Sequence, residues 1–511
     1  MRTLIVVLAI TALAAAQPRA AQTPPPAAAP KETANIPLVD EKPVVTSHRI
    51  EVRGRTIRYQ ASTGMMPMRT ESGDLEANMF FVAYTLDPLG PAAGRPLTFC
   101  FNGGPGAGSL WLHLGAIGPK RARMNDDGSL PPPPYRLEDN EATWLDKSDI
   151  VFIDPVGTGY SRAKNAETGR KFWGLRGDIE SVGQFIRMFL SRFDRWGSPL
   201  FVAGESYGTT RAAGLSQYLA DHGVALNGVI LVSAILNFQT TRFAPGNDLP
   251  YALYLPTYTA TAWYHKKLPA DLQKDLRKAV DEARKFASGP YVQILHQGDQ
   301  LSEAQRNAAI DTLARLTGLG KPYLKLANLR PEIQRFCKEL MRAEGRTVGR
   351  LDSRLTGIAP PDTAEQPEFD PSMAAIRPPY TSLMNAYART ELRFETDREY
   401  YALGGGINAP WSFDLAGGQG YADTSVSLKN ALAKNPHMKV LIAWGYYDLA
   451  TPFHAVEYTI GHLGLDPQLR NNIRWAEYEA GHMMYIHVPS LRKLKKDVEE
   501  FYDFAAAPKS W

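Results

Sequence analysis

Short apolar runs alternate with stretches of helical spacing through much of the chain. Residues 97–101, 149–154, 199–203 and 228–233 each contain a continuous apolar stretch with the length of a strand. Between two of these runs, the apolar residues of 179–190 recur at helical spacing. Strands that are apolar on both faces and alternate with helices predict a mostly parallel central sheet covered by helices on both faces.

The segment before these runs has an antiparallel pattern instead. Apolar and charged side chains alternate in residues 47–52 and again in 57–59, on either side of Arg53 and Gly54, which predicts a hairpin. Residues 78–85 predict a further strand. We therefore expect antiparallel strands at the start of the sheet.

The alternation stops in the middle of the chain and returns near its end. Residues 238–425 are first rich in tyrosine and proline and then helical and charged, whereas buried strand patterns return at 439–445 and 473–478. This pattern predicts an α/β core in two parts, 46–237 and 426–511, with a mainly helical cap inserted between them.

The first residues are typical of a targeting segment. Residues 1–16 contain one early arginine, a short apolar run and an Ala-x-Ala step, which predicts a secretory signal peptide cleaved after Ala16. An uncleaved membrane anchor is the alternative, although the run is short for a span. Residues 17–45 are rich in proline and alanine and predict a flexible spacer. We expect an exported protein, periplasmic or extracellular, with no membrane span after signal removal.

Composition excludes some classes of protein. The 511 residues are 44% hydrophobic and 22% charged, which is ordinary for a globular protein. The net charge of +4 comes without a long basic run, so nucleic acid is not an implied partner. An exported protein could pair its two cysteines, Cys100 and Cys337, but buried free thiols are the favoured interpretation.

A candidate nucleophile lies between a predicted strand and a predicted helix. Residues 204–208 read Gly-Glu-Ser-Tyr-Gly, directly after the run at 199–203. In this context Gly-x-Ser-x-Gly is typical of a sharp turn that lifts a serine above the sheet, here Ser206. The alternative is a structural turn between small residues.

A serine nucleophile needs a base that is oriented by a carboxylate, in the order serine, acid, histidine in sheets of this kind. Asp448 follows the strand at 439–445, and His482 follows the strand at 473–478. We therefore assign Asp448 as the acid and His482 as the base. His487 is a weaker candidate for the base, and a zinc site formed by His482 and His487 is disfavoured. No metal or organic cofactor is implied.

A glycine-rich loop follows the strand at 97–101. Residues 102–108 read Asn-Gly-Gly-Pro-Gly-Ala-Gly, which allows close approach of the backbone to a ligand. A phosphate-binding loop is the alternative, but the Lys-Ser/Thr ending of that motif is absent.

Several of these stretches together resemble the serine carboxypeptidase family. They are Asn-Gly-Gly-Pro-Gly at 102–106, Asp-Pro-Val-Gly-Thr-Gly-Tyr-Ser at 154–161, Gly-Glu-Ser-Tyr-Gly at 204–208 and Ala-Gly-His-Met at 480–483, with a looser match around Asp448. The resemblance implies an α/β-hydrolase fold with an inserted cap. The implied reaction is release of the C-terminal residue of a peptide through an acyl-enzyme. Together with the predicted signal peptide, the resemblance suggests an exported member of bacterial type.

The resemblance also implies roles for residues around the serine. The backbone N–H groups of Gly104 and Tyr207 match the oxyanion hole. Asn102 and Glu205 match residues that bind the substrate's terminal carboxylate, with help from the backbone of Gly103. Two anions in contact repel, so one of the two carboxyl groups must carry a proton, which predicts peptide turnover at acidic pH.

The chain departs from eukaryotic members of the family in its cysteines. Those members usually have a cysteine soon after Gly-Pro-Gly and several disulfides, whereas Ala107 and Gly108 stand here and the chain has only two cysteines. We therefore expect differences from those members in the cap and in the pocket for the leaving residue. The departure does not affect the assignment of Ser206, Asp448 and His482.

Two alternatives remain beside a carboxypeptidase for peptides with a free C-terminus. One is an esterase or acyltransferase on the same scaffold, and the other is a catalytically silent binding protein. Asn102 and Glu205 favour the peptidase, because an ester site does not need to bind a free carboxylate. The sequence does not define the preferred side chains, the natural substrate or the oligomeric state, and the aromatic residues of 251–264 fit a core or a substrate wall equally.

Overall fold

The structure is a computed structural model, and it describes residues 42–88, 94–359, 363–407, 410–414 and 420–506. The predicted signal peptide and most of the predicted spacer lie outside the described residues. The first strand begins at Val44, inside the end of the predicted spacer. Cys100 and Cys337 are both buried free thiols, as the sequence favours.

The strands are β1 (Val44–Val52), β2 (Arg55–Arg69), β3 (Leu75–Leu86), β4 (Leu97–Phe101), β5 (Lys120–Ala122), β6 (Leu137–Asp139), β7 (Asp149–Ile153), β8 (Arg162–Ala163), β9 (Leu200–Glu205), β10 (Gly228–Val232), β11 (Arg346–Val348), β12 (Thr356–Ile358), β13 (Lys439–Gly445) and β14 (Ile473–Tyr478). The main sheet has the order β1-β2-β3-β7-β4-β9-β10-β13-β14, and β8 pairs with β3. Pairing is antiparallel from β1 to β7 and parallel from β7 to β14. The predicted antiparallel start and mostly parallel core are thus confirmed.

The α-helices are α1 (Leu110–Leu112), α2 (Ala166–Gly169), α3 (Leu175–Arg192), α4 (Tyr207–Asp221), α5 (Leu249–Tyr264), α6 (Leu276–Phe286), α7 (Val292–Gln297), α8 (Glu303–Thr317), α9 (Lys321–Leu326), α10 (Ile333–Glu339), α11 (Pro371–Thr390), α12 (Ser425–Lys434), α13 (Phe453–Gly461), α14 (Pro467–Arg470) and α15 (Val488–Ala506). Short π-helical segments follow α1 (His113–Ile117) and α6 (Ala287–Tyr291), and short 3₁₀ turns lie at Phe238–Thr240, Gly298–Gln300, Arg342–Glu344 and Met484–Ile486. Of the helices in the described parts of the chain, none is long and apolar enough to cross a membrane.

Helices cover both faces of the sheet, each with its own buried cluster. Apolar side chains of α3, α4 and α12 pack on one face, and those of α15 pack on the other. The strands between them are buried along their length, which explains why their sequences are continuously apolar rather than alternating.

The segment between β10 and β13 is mainly helical, with one small hairpin of β11 and β12 that the sequence pattern does not predict. Helices α5 to α10 enclose a separate apolar cluster that includes Tyr258, Leu313 and Phe336. Helix α11 differs, because its Ile376, Tyr380 and neighbours belong to the cluster on the α15 face of the sheet. The inserted segment therefore packs partly on itself and partly on the sheet.

The sheet register brings the predicted chemistry to one edge. Phe101 at the end of β4 pairs with Gly204 of β9, and Val232 at the end of β10 pairs with Glu205. At the far side, Gly445 of β13 pairs with Tyr478 of β14. Because parallel strands end at the same edge, the loops that follow β4, β9, β13 and β14 meet there.

Candidate active site

Ser206 lies in a strained turn between β9 and α4. Its backbone has φ 59° and ψ −131°, a conformation that is costly for a residue with a side chain. A Cβ atom on Gly204 would lie 2.2 Å from the carbonyl oxygen of Gly208, so the turn closes only with glycine there. The Ser206 N–H donates to the carbonyl of Val232 at 3.0 Å, which fixes the turn to β10. These features are those of a nucleophile elbow.

A buried ion pair supports the elbow from below. Arg211 of α4 donates from Nε to Asp178 of α3 at 2.8 Å, and the Tyr207 hydroxyl donates to the same carboxylate oxygen at 2.9 Å. Arg211 also donates from Nη1 to the carbonyl oxygen of Asn102 at 2.7 Å. The pair therefore joins α3, the start of α4 and the loop after β4 into one unit.

Asp448 and His482 form a buried hydrogen-bonded pair. His482 Nδ1 lies 2.7 Å from Asp448 Oδ2, and the other oxygen, Oδ1, accepts the backbone N–H groups of Ala450 at 2.8 Å and Thr451 at 3.0 Å. The Thr451 hydroxyl also donates to Asp448 Oδ2 at 2.6 Å. Burial lowers the pKa of His482, but the facing Asp448 carboxylate outweighs it, so that pKa is raised overall. Asp448 thus holds the imidazole in place and stabilises its protonated form.

The structure brings Ser206 and His482 together on one cavity of about 130 Å³. His482 is held there by its backbone, since its N–H donates to the carbonyl of Leu351 at 2.7 Å and its carbonyl accepts the Ser233 hydroxyl at 2.6 Å. His487, the weaker candidate for the base, instead has Nδ1 2.8 Å from the Ser490 hydroxyl. The arrangement favours His482 as the base.

The glycine-rich loop after β4 touches the start of α4. A Cβ atom on Gly103 would lie 2.4 Å from the backbone nitrogens of both Tyr207 and Gly208. Gly104 has φ +102°, a conformation that favours glycine. Gly104, Ser206 and Tyr207 line a common cavity of about 280 Å³. Backbone N–H groups beside the serine, at the positive end of a helix, are suited to stabilise an oxyanion.

Asn102 and Glu205 form a second buried set beside the serine. Asn102 Nδ2 donates to Glu205 Oε1 at 3.0 Å, and Asn102 Oδ1 accepts the N–H of Leu112 at 3.0 Å. The Tyr485 hydroxyl donates to Glu205 Oε2 at 2.5 Å. Glu205 is only 3% exposed, and this burial raises its pKa to about 7. Its carboxyl group is therefore neutral at acidic pH and can then donate a hydrogen bond.

Two cavities flank Ser206. The first, which we call the leaving-side cavity, contains Asn102, Gly103, Glu205 and His482. The rest of its lining comprises Ser206, Gly104, Arg350 and an apolar wall of Ala107, Trp111, Leu351, Met373, Ile376, Leu403, Ala450 and Met483. The second, which we call the acyl-side cavity, is lined by Gly104, Ser206 and Tyr207 at the start of α4. Its apolar wall consists of Pro105, Ile235, Phe238, Tyr254, Ile333, Phe413 and Ala450.

Some residues of the site carry no signal in the sequence pattern. Tyr485 lies three residues after His482, and only the structure shows that its hydroxyl reaches Glu205. Arg350 lies between β11 and β12 and lines both cavities. Thr451 is the exception, because a hydroxyl residue three positions after an aspartate in the loop that follows a strand can donate to that carboxylate.

Comparisons with known proteins point to one family. A family model described as serine carboxypeptidase matches residues 55–487. The pheromone-processing carboxypeptidase KEX1 of Saccharomyces cerevisiae (strain JAY291) is 33% identical over 162 residues, 29% of this chain and 20% of KEX1. Serine carboxypeptidase-like 36 of Arabidopsis thaliana is 28% identical over 167 residues, 32% of this chain and 33% of that protein.

A solved structure shows the same fold. The crystal structure of a prohormone-processing carboxypeptidase from S. cerevisiae, Kex1(delta)p, superposes with a TM-score of 0.55 at 17% identity, and covers 87% of this chain and 91% of that one. By sequence, however, the aligned part spans only about a fifth of the length of the KEX1 relatives.

Proposed function

The chain belongs to the serine carboxypeptidase family, and we propose that it removes single residues from the C-terminus of peptides through an acyl-enzyme on Ser206. The observation that carries this proposal is that Asn102 and Glu205, which are hydrogen-bonded to each other, line the same cavity as Ser206 and His482. Tyr485 donates a hydrogen bond to Glu205. A neutral carboxyl beside an amide can bind a free carboxylate, which an ester site does not require.

Acylation follows from the positions of the two polar sets. His482 accepts the proton of the Ser206 hydroxyl while the serine oxygen attacks the carbonyl carbon of the last peptide bond. The negative charge that forms on the carbonyl oxygen is stabilised by the N–H groups of Gly104 and Tyr207. His482 then gives its proton to the leaving nitrogen, the C–N bond breaks, and the C-terminal amino acid departs.

Deacylation uses the same groups in reverse roles. A water molecule loses a proton to His482 and attacks the ester carbon. The bond to the serine oxygen then breaks, and Ser206 recovers a proton from His482. The products are the shortened peptide and the free enzyme.

The pH dependence follows from Glu205. The substrate's terminal carboxylate has an ordinary pKa of about 3.5, so it stays ionised over the pH range in which Glu205 titrates. Because burial raises the pKa of Glu205 to about 7, its carboxyl is protonated below that pH and can donate to the substrate. Above it, two carboxylates face each other and binding weakens. We therefore propose that turnover of peptides is best at acidic pH.

Paired substrates test the proposed function. Purified protein is incubated with an N-blocked dipeptide and with its C-terminally amidated twin, and products are identified by mass. We expect release of one C-terminal residue by the wild type and none by Ser206→Ala. Cleavage of esters without any cleavage of peptides would contradict the proposal and indicate an esterase instead.

Export is a separate part of the proposal, supported by the apolar run and the Ala-x-Ala step of residues 1–16. The test is to express the full chain in a bacterium, fractionate the cells and determine the N-terminal residue of the product. We expect a periplasmic or extracellular protein that begins at Gln17. An intact N-terminus in the cytoplasmic fraction would contradict export.

A further inference from the structure

The acyl-side cavity contains two arginines whose charge has no carboxylate partner in the described part of the chain. Arg242, which follows the turn Phe238–Thr240, lines this cavity, and so does Arg350. The guanidinium carbon of Arg242 lies 5.8 Å from the ring centroid of Phe238 and 5.3 Å from that of Phe413. Among the described residues, neither guanidinium makes an ion pair or a hydrogen bond.

Two acidic residues near this cavity, Asp448 and Glu332, already accept hydrogen bonds. Among the described residues that line it, none is an aspartate or a glutamate. Asp448 is bonded to His482 and Thr451. Glu332, next to Ile333 of the wall, accepts the backbone N–H groups of Gln334 and Arg335 at the start of α10. The cavity therefore presents positive charge beside apolar and aromatic surface.

The position of the cavity identifies which part of a substrate it holds. Asn102 and Glu205, which bind the terminal carboxylate in the proposed function, lie in the leaving-side cavity and not in this one. The acyl-side cavity shares Ser206, Gly104, Arg350 and Ala450 with the first, whereas Arg242 and Tyr207 line the acyl-side cavity alone. The residue whose carbonyl is attacked by Ser206 therefore places its side chain here.

We propose that the acyl-side cavity selects peptides with an acidic residue, glutamate or aspartate, immediately before the released residue. The aromatic wall packs on the methylene groups of the side chain, and Arg242 and Arg350 face its carboxylate. A lysine or arginine at the same position is disfavoured, because it adds a third positive charge without a partner. This inference rests on the proposed function and defines its substrate class.

The test compares four N-blocked dipeptides that share a C-terminal phenylalanine and carry Glu, Gln, Leu or Lys before it. At about pH 6 the glutamate side chain is ionised, since its ordinary pKa is about 4.3. We expect kcat/KM to be about tenfold higher for Glu than for its neutral isostere Gln, and lowest for Lys. The Glu to Gln ratio is the measured quantity, because it cancels changes common to both substrates.

The double variant Arg242→Gln, Arg350→Gln is expected to bring that ratio close to one. Because Arg350 also lines the leaving-side cavity, kcat/KM is expected to fall by a common factor for all four peptides, and the ratio cancels this fall. The matched control is Arg53→Gln, an exposed arginine in the turn between β1 and β2, which keeps the wild-type ratio. A measurement on the wild type alone keeps the test valid if the double variant fails to fold. Raising salt from about 20 mM to about 500 mM should lower the ratio, because screening weakens partly exposed charges.

Equal kcat/KM for Glu and Gln in the wild type, or an unchanged ratio in the folded double variant, would overturn this inference and leave the carboxypeptidase proposal intact. Failure to cleave any of the four peptides would instead contradict the proposed function itself.

Discussion

The two cavities that flank Ser206 obtain their polar groups from different parts of the chain. In the leaving-side cavity, Asn102 and Glu205 follow or end core strands and are buried with their hydrogen bonds satisfied. In the acyl-side cavity, Arg242 is exposed and Arg350 half-buried, and both belong to the segment between β10 and β13. This difference is the basis of our proposal that the core provides the chemistry and the segment between β10 and β13 selects the substrate.

The largest expected effect is the fall in kcat when Asp448 in the core is substituted. Asp448→Asn keeps the shape of the side chain but removes the charge that orients and stabilises protonated His482, so kcat should fall by about 10⁴-fold. Steady-state kinetics with an N-blocked dipeptide measures it. The control, Asp271→Asn, changes an aspartate on the surface of the inserted segment and should leave kcat within about twofold of wild type. A fall of less than tenfold in Asp448→Asn would show that the assigned acid is wrong.

The next effect concerns the support beneath the elbow. Asp178→Ala leaves Arg211 buried without its partner, and we expect the free energy of unfolding to fall by about 3–5 kcal/mol. Denaturant unfolding measures this loss. The control is Glu180→Ala on the exposed side of α3, whose ion pair with Arg176 lies in solvent and should contribute little to stability. Similar losses of stability in both variants would contradict the claim that the buried ion pair of Asp178 and Arg211 supports the elbow.

A smaller effect is expected when one of the two hydrogen bonds to the Glu205 carboxyl group is removed. Tyr485→Phe removes a donor that favours the ionised carboxylate, so the pKa of Glu205 should rise further, by about one unit. The fall in peptide turnover at alkaline pH would then move to higher pH by the same amount. Tyr380→Phe is the control, because Tyr380 lies in the same buried cluster but donates no hydrogen bond to Glu205. A shift to lower pH in Tyr485→Phe would contradict the assigned hydrogen bond.

The division between the core and the inserted segment also explains which residues could be predicted from the sequence. Buried parallel strands are continuously apolar, and the residues that follow them meet at one edge of the sheet, so Ser206, Asp448 and His482 could be assigned from their positions alone. For Asn102 and Glu205 the family resemblance is the only basis for a prediction, because no spacing rule places an amide beside that glutamate. The structure nevertheless brings them into contact.

Residues of the inserted segment could not be predicted in this way. Arg350 reaches both cavities through a short hairpin and the loop before α11, and neither has a periodic pattern. The aromatic residues of 251–264 include both uses that the sequence leaves open. Tyr254 and Tyr258 are both buried in the cluster of the inserted helices, and Tyr254 also lines the acyl-side cavity. Packing against other elements, rather than local sequence, decides these positions.

The central claim is that Glu205 binds the substrate's terminal carboxylate in its neutral form. The most direct test is the ratio of kcat/KM for an N-blocked dipeptide to that for its amidated twin, measured across pH, because titration of His482 affects both substrates alike and cancels. In the wild type this ratio should fall about tenfold per pH unit above about 7. In Glu205→Gln, where the side chain stays neutral and can still donate, the ratio should be independent of pH. A ratio that is flat in the wild type, or that falls equally in Glu205→Gln, would contradict the claim.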